Sequence, residues 1–308
     1  MAEHTLIESL KTAMPYIRKY RGETFVVKIG GRILGDAAAL SSFAHQIAFL
    51  QQLSIRVIVV HGGGPQASDY QRRLGMEPQM IAGRRVTDEA TLEVVKMVYG
   101  GLLNLNVLSA LRANKVMAVG LSGLDANLVV TSRRAPMEVR LDDGSTDIVD
   151  YGCVGDVRAE QIDPKSLCVL CDAEIVPVVA SLAADAEGNV LNVNADTMAS
   201  EIAVALQAKK LVYLTDTIGL LRDKTDPKTL VPFATPEDIA TMTAQGAIDG
   251  GMGPKVRACV RAATNGVKRT HIIHGLAEDS LLTELFTPEG CGTMIVGRPE
   301  RDQYEQEI

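Results

Sequence analysis

Arg56-Val57-Ile58-Val59-Val60-His61-Gly62-Gly63-Gly64-Pro65 is the stretch that decides the fold. Four successive β-branched residues with no polar residue among them describe a strand buried on both faces, since a half-exposed strand would alternate. The glycines that follow end it in a turn where backbone can approach a ligand with no Cβ in the way. Upstream, Thr24-Phe25-Val26-Val27-Lys28-Ile29-Gly30-Gly31 repeats the design, and residues 37–52 between the two read as a helix. Strand, helix and strand with continuous apolar runs predict parallel pairing in an α/β protein.

The same alternation continues outward. Residues 4–20 predict an amphipathic helix, with Leu6, Ile7, Leu10, Met14 and Ile17 at helical spacing. Helices are expected over 88–113, 197–208, 253–266 and 278–286, and strands over 117–121, 175–179, 210–214 and 271–273. The charged segment 128–158 carries a hairpin signal at Asp142-Asp143-Gly144. The expected architecture is a three-layer αβα sandwich around a central, mainly parallel sheet. No linker stands out, so any lobe boundary falls within compact sequence near 180–192.

Composition narrows the function. The 308 residues suit one large domain or two lobes. A net charge of −7 disfavours nucleic acid, whose phosphates select basic surfaces. No apolar run is long enough to span a bilayer, and the first residues mix charge with apolar groups, unlike a secretory leader. Five scattered cysteines predict reduced thiols and a cytoplasmic location; Cys168-Val169-Leu170-Cys171 has redox spacing but apolar surroundings. No P-loop, dinucleotide fingerprint, zinc-protease helix or serine-hydrolase elbow occurs, and no metal site is expected.

Ligands of open parallel sheets gather at the carboxyl ends of the strands. Lys28 with Gly30-Gly31, the run His61–Gly64, and Thr215-Asp216 all fall there. Glycine turns present bare N–H groups to an anion. Lys255, in Asp249-Gly250-Gly251-Met252-Gly253-Pro254-Lys255, sits in a first helical turn, where a cation is unfavourable unless an anion is near. Asn192, Asn194 and Asp196 alternate before the next helix, aiming three polar side chains one way, although one of them could simply cap it. In Arg84-Arg85-Val86-Thr87-Asp88 a cap leaves an arginine free to grip a carboxylate.

Nine motifs in order carry a resemblance: Val27-Lys28-Ile29-Gly30-Gly31, Val60-His61-Gly62-Gly63-Gly64-Pro65-Gln66, Arg85-Val86-Thr87-Asp88, Gly120-Leu121-Ser122-Gly123, Val154-Gly155-Asp156-Val157, Asn192-Val193-Asn194-Ala195-Asp196-Thr197, Leu214-Thr215-Asp216, Gly250-Gly251-Met252 with Pro254-Lys255-Val256, and Glu289-Gly290-Cys291-Gly292-Thr293-Met294-Ile295. From about residue 15 to 296 the chain resembles the acetylglutamate kinases of the amino acid kinase family. That resemblance implies transfer of the ATP γ-phosphoryl group to the γ-carboxylate of N-acetyl-L-glutamate on the route to arginine, with Mg²⁺ arriving on ATP. It implies that Lys28 and Lys255 neutralise the transferring group, that Asp196 orients them, and that Gly30, Gly31, Gly63 and Gly64 donate N–H groups. Arg85, Asn192 and Asn194 would hold the substrate, and Thr215 and Asp216 the nucleotide. The implied organisation is an interaction helix at 1–21, a substrate and dimerisation lobe at 22–182, and an ATP lobe at 183–308.

Members with such an N-terminal helix form arginine-inhibited hexamers, which implies an effector pocket at Tyr20, His271, Glu284 and Gly290. The chain departs from the family pattern at Ala82 (usually Asp), Leu124 (usually Lys), Ala126 (usually Gly) and Gly253 (usually bulky). These departures admit two alternatives: a relative acting on another N-acylated acidic amino acid, or a non-catalytic regulatory paralogue.

Overall fold

A computed structural model describes residues 2–141, 144–248 and 250–297 of the chain. Eight strands form the central sheet: β1 (Thr24–Ile29), β2 (Arg56–His61), β3 (Ala118–Ser122), β4 (Val176–Ala180), β5 (Lys210–Thr215), β6 (Phe233–Ala234), β7 (Arg269–His274) and β8 (Thr293–Ile295). Their spatial order is β6-β8-β7-β5-β1-β2-β4-β3. The six strands from β7 to β3 run parallel, while β8 lies antiparallel to β7. In β1, five consecutive residues from Phe25 to Ile29 are buried, which is why both of the first two strands read as continuous apolar runs rather than alternating ones.

Chain order reverses direction at β1. The strands β2, β4 and β3 build out on one side of it, and β5, β7, β8 and β6 on the other. This is the switch point at which parallel sheets open a ligand crevice. It also separates the central-sheet strands that end by Ala180 from those that begin at Lys210.

Helices cover both faces. One core layer gathers Ile33, Phe43, Ile47, Leu50, Tyr99 and Leu111; the other gathers Met198, Ile202, Ala203, Cys259 and Ala262. The expected helix over 88–113 is three pieces: Glu89–Val95 and Asn104–Ala113 are α-helical, with a π-helical segment, Lys96–Leu103, between them. Among the described residues, Glu89–Ala113 is also the run long and apolar enough to cross a bilayer. One face of it, with Leu92, Val95, Tyr99, Leu103 and Val107, packs in the core.

A smaller sheet orders Leu182–Ala184, Val190–Val193, Val154–Asp156 and Ser132–Arg133. The hairpin expected near Gly144 pairs Met137–Arg140 with Thr146–Val149; Asp142 and Asp143 lie outside the described residues. The N-terminal helix spans Ala2–Tyr20. Leu6, Ile7 and Leu10 of its expected apolar stripe lie outside the described side chains. Tyr20 anchors the helix end, its ring 5.2 Å from that of Phe25 and 6.0 Å from that of Phe286. Cys168 and Cys171 lie on the helix Lys165–Asp172, one exposed and one buried.

Two departures from the family pattern have a backbone explanation. Ala82 (φ 46°) and Gly83 (φ 73°) are the two-residue turn of the hairpin joining Met80–Ile81 to Arg84–Arg85. Such a turn favours Asn-Gly or Asp-Gly because both residues take positive φ. Ala126 (φ 52°, ψ 28°) is likewise left-handed, where glycine avoids a Cβ clash. Both turns carry an alanine on left-handed backbone that suits glycine or asparagine better.

Candidate active site

At the switch point Lys28, the fifth residue of β1, is 7% exposed and Asp196 is 6% exposed. The Lys28 ammonium lies 2.7 Å from Asp196 Oδ1, and Lys255 Nζ lies 3.6 Å from Oδ2. Lys255 also donates to the Gly251 carbonyl at 3.1 Å. Burial works to raise the Asp196 carboxyl, and the charges of Lys28 and Lys255 more than reverse it, so it is held below the ordinary carboxylate range. Two cations thus share one carboxylate, and one positive charge is left in excess beside the crevice.

Asp196 owes its place to the helix Ala195–Ala205, whose first turn it occupies. Asn194 caps that helix, its Oδ1 accepting from Thr197 N at 2.9 Å, so this carboxamide oxygen serves the helix start. Asn192 instead donates to Thr87 Oγ1 at 3.1 Å. Lys255 stands in the first turn of the helix Met252–Thr264. Asp249, in the loop before it, lies outside the described residues.

The two glycine turns meet. Gln66 donates from Nε2 to the Gly31 carbonyl at 2.6 Å, and a Cβ at Gly31 would press on Pro65 at 2.9 Å. The N–H of Gly30 is engaged by the Leu214 carbonyl at 3.1 Å. That hydrogen bond belongs to the splice of β1 onto β5, so the expected Gly30 donor is already paired here. The N–H groups of Gly31, Gly63 and Gly64 have no acceptor among the described residues. A Cβ at Gly63 would collide with Leu103 and Tyr99 from the π-helical segment, whereas the position over Gly64 is open.

Arg85 lies against the helix Gly64–Arg73. It donates to the Gly64 carbonyl at 2.8 Å and to Ser68 Oγ at 2.6 Å, and it also bonds Gln71. A guanidinium has five N–H groups, so Nε–H and one Nη1–H remain for a carboxylate. Thr215 forms a local turn, its Oγ1 accepting from Thr217 N at 3.0 Å. Asp216 pairs with Arg32 at 3.0 Å. Ser68, Gln71 and Arg32, which help place these groups, carried no separable signal in the sequence because each is an ordinary polar residue on its own element, while Gln66 and Thr87 fell within quoted motifs without being given these contacts.

A second polar cluster is buried away from this crevice. His271 Nδ1 lies 2.6 Å from Glu284 Oε1, and its Nε2 lies 3.1 Å from Lys210 Nζ. Glu284 Oε2 accepts from Cys291 N at 2.7 Å and Gly292 N at 3.0 Å. Lys210 lies 5.1 Å from the centre of the Tyr20 ring, and Gly290 turns beside the Glu284 carboxylate with φ 64°. The fold therefore gathers Tyr20, His271, Glu284 and Gly290 in one place.

A buried lysine and a half-buried one held by a carboxylate, at the switch point of an α/β sheet whose glycine turns have N–H groups without an acceptor among the described residues, make a site for an anionic group under transfer. Residues 23–274 match the profile of the Amino acid kinase family, and this chain belongs to that family. An acetylglutamate kinase from Methanothermobacter thermautotrophicus is 41% identical, the match covering 94% of this chain and 98% of that protein. N-acetylglutamate synthase from Neisseria gonorrhoeae, complexed with coenzyme A and N-acetyl-glutamate, aligns with TM-score 0.79 and 30% identity. This match covers 94% of the present chain and 63% of the synthase. The synthase complexed with coenzyme A and L-arginine gives TM-score 0.76 and 28% identity, covering 94% and 65%.

Proposed function

We propose that this chain is an ATP-dependent acetylglutamate kinase. The observation that carries the reading is the Lys28–Asp196–Lys255 cluster at the glycine turns, where the N–H groups of Gly31, Gly63 and Gly64 have no acceptor among the described residues. A γ-carboxylate oxygen of N-acetyl-L-glutamate attacks the γ-phosphorus of ATP. The new O–P bond forms as the bond to the β-phosphate oxygen breaks, and ADP leaves. The acceptor is already ionised at neutral pH, so no general base is needed. Catalysis is then positioning and charge stabilisation: the lysines offset the charge of the transferring group, and the glycine N–H groups bind its oxygens. Arg85 and Asn192 hold the acid, and the residues beyond β5, from Thr215 and Asp216 onward, hold the nucleotide.

Among the described residues no group of three acidic, histidine or cysteine side chains is placed to hold a metal. Mg²⁺ would come bound to the phosphates of ATP and screen their charge. ATP supply makes the cytoplasm the expected location. The test is a panel of N-acylated acidic amino acids with ATP and Mg²⁺, the acyl phosphate being trapped with hydroxylamine. N-acetyl-L-glutamate should give the highest kcat/KM; turnover of a different acid with none on N-acetyl-L-glutamate overturns the substrate.

Regulation and assembly belong to the same proposal. The cluster at Tyr20, His271, Glu284 and Gly290 supports an arginine effector site at this place in the fold; the aligned synthase was solved with L-arginine. The helix Ala2–Tyr20 is mostly exposed between residues 11 and 19, which supports its role in joining dimers into a hexamer. Met97 and Leu105, exposed on the helical run 96–113, and Met117 and Val119, exposed just before and on the edge strand β3, support a dimer on that side. Light scattering of the full chain and of a chain lacking residues 1–20, each with and without arginine, tests both. The hexamer and the inhibition should be lost together.

A further inference from the structure

His61 ends β2 with none of its surface exposed, and the proposed chemistry leaves it without a part. Its Nδ1 lies 2.9 Å from the Gly62 carbonyl and its Nε2 lies 3.1 Å from Asn104 Nδ2. Asn104 has no choice of role: its amide also donates to the Val178 carbonyl at 3.0 Å, so the nitrogen faces His61 as a donor. The imidazole must then accept at Nε2 and donate from Nδ1. Burial, reinforced by Lys28, keeps the ring neutral.

The network is built with care for space. Asn104 follows the π-helical segment Lys96–Leu103, and a Cβ at Gly120 of the neighbouring strand would collide with its carboxamide. That segment also supplies the Tyr99 and Leu103 side chains under Gly63. A peptide unit is planar, with C=O and N–H on opposite sides. Fixing the Gly62 carbonyl toward the buried ring therefore fixes the Gly63 N–H away from it, and this N–H has no acceptor among the described residues.

We propose that His61 is a positioning residue for phosphoryl transfer, its Nδ1–H holding the Gly62–Gly63 peptide so that the Gly63 N–H is aimed at the transferring group. This rests on the proposed kinase reaction. Asn104 acts one step further back, setting the tautomer that makes Nδ1 the donor. The role is electrostatic preorganisation of a backbone donor, and it needs no protonation change at His61.

Two substitutions separate the ring nitrogens. His61→Asn can place an amide N–H where Nδ1 stands, while His61→Gln reaches the Nε2 position and cannot serve Gly62. With ATP and N-acetyl-L-glutamate, His61→Asn should retain kcat within about threefold and His61→Gln should lose about 10- to 100-fold, with both KM values little changed. Equal kcat in the two variants, or losses that track their melting temperatures, overturn the assignment. If the wild type phosphorylates no acid, the kinase reading falls. The positioning role is then read from binding of ADP with aluminium fluoride, a mimic of the transferring phosphoryl group. His61→Gln should weaken that binding about tenfold relative to His61→Asn, and equal affinities refute the role.

Discussion

The protein contains two buried clusters that each join carboxylate to cations, and they are completed in opposite ways. At Lys28–Asp196–Lys255, two ammonium groups face one carboxylate, and the nearby glycine turns have N–H groups unpaired among the described residues. At Lys210–His271–Glu284, a neutral imidazole stands between the charges, and two backbone N–H groups complete the carboxylate. The first has more donors than acceptors and is organised to receive an anion. The second has its bonds met internally and ties β5, β7 and the helix Ser280–Phe286 to the loop before β8. Similar residue types thus yield a cluster open to an anion or one whose bonds are met in the absence of a ligand, according to whether the protein supplies the last partner.

The strongest way to break the comparison is to remove the excess charge. Lys28→Ala and Lys255→Ala should each lower kcat by about 10²–10³-fold, a loss of roughly 3–4 kcal/mol of transition-state stabilisation. Steady-state rates within about tenfold of wild type for both would show that neither ammonium meets the transferring group.

Acid should strain both regions through their histidines. Burial is the main cause holding His61 and His271 near a pKa of about 4, below the ordinary 6.5. Between those values the unfolded chain takes up protons that the folded protein refuses. Stability is therefore full above pH 6.5 and falls toward pH 4, by about 3 kcal/mol for each histidine. Urea titrations across this range should show the decline, and His271→Gln should flatten part of it. An unchanged slope in that variant would remove His271 from the account.

Glu284→Gln sharpens the contrast at smaller scale. It keeps the shape but removes the charge that Cys291 N, Gly292 N and Lys210 face, and should cost about 2 kcal/mol of stability by denaturant titration. Basal kcat without arginine should stay near wild type. The smallest effect is expected far from both clusters: Ala126→Gly and Ala82→Asn relieve left-handed strain and should each raise stability by up to about 1 kcal/mol, read as a higher melting temperature.

Much of the fold was legible because periodicity reports burial. The stretches 25–27 and 57–60 are apolar throughout because each lies between two helical layers, and the glycines after their strands mark the crevice. Short outer strands such as Phe233–Ala234 and Thr293–Ile295 escaped notice, since a pair or triplet of residues has no period to read. In the site, Lys28, Asp196 and Lys255 stood out through their places beside glycine turns and helix starts. The capping of the helix by Asn194, and the pairing of Gly30 N–H with Leu214, depend on partners that only the fold brings near.

The sequence by itself determined the alternation of strand and helix, the glycine turns, and the residue types able to handle an anion, because these follow from local spacing and backbone freedom. Tertiary structure alone decided that two cations from distant segments share one buried carboxylate, that Asn104 reaches His61 from another element, and that the Lys210–His271–Glu284 cluster closes on itself. Burial, charge pairing and tautomer are set by the partner a group finds, and residues so far apart along the chain become partners only when the sheet assembles.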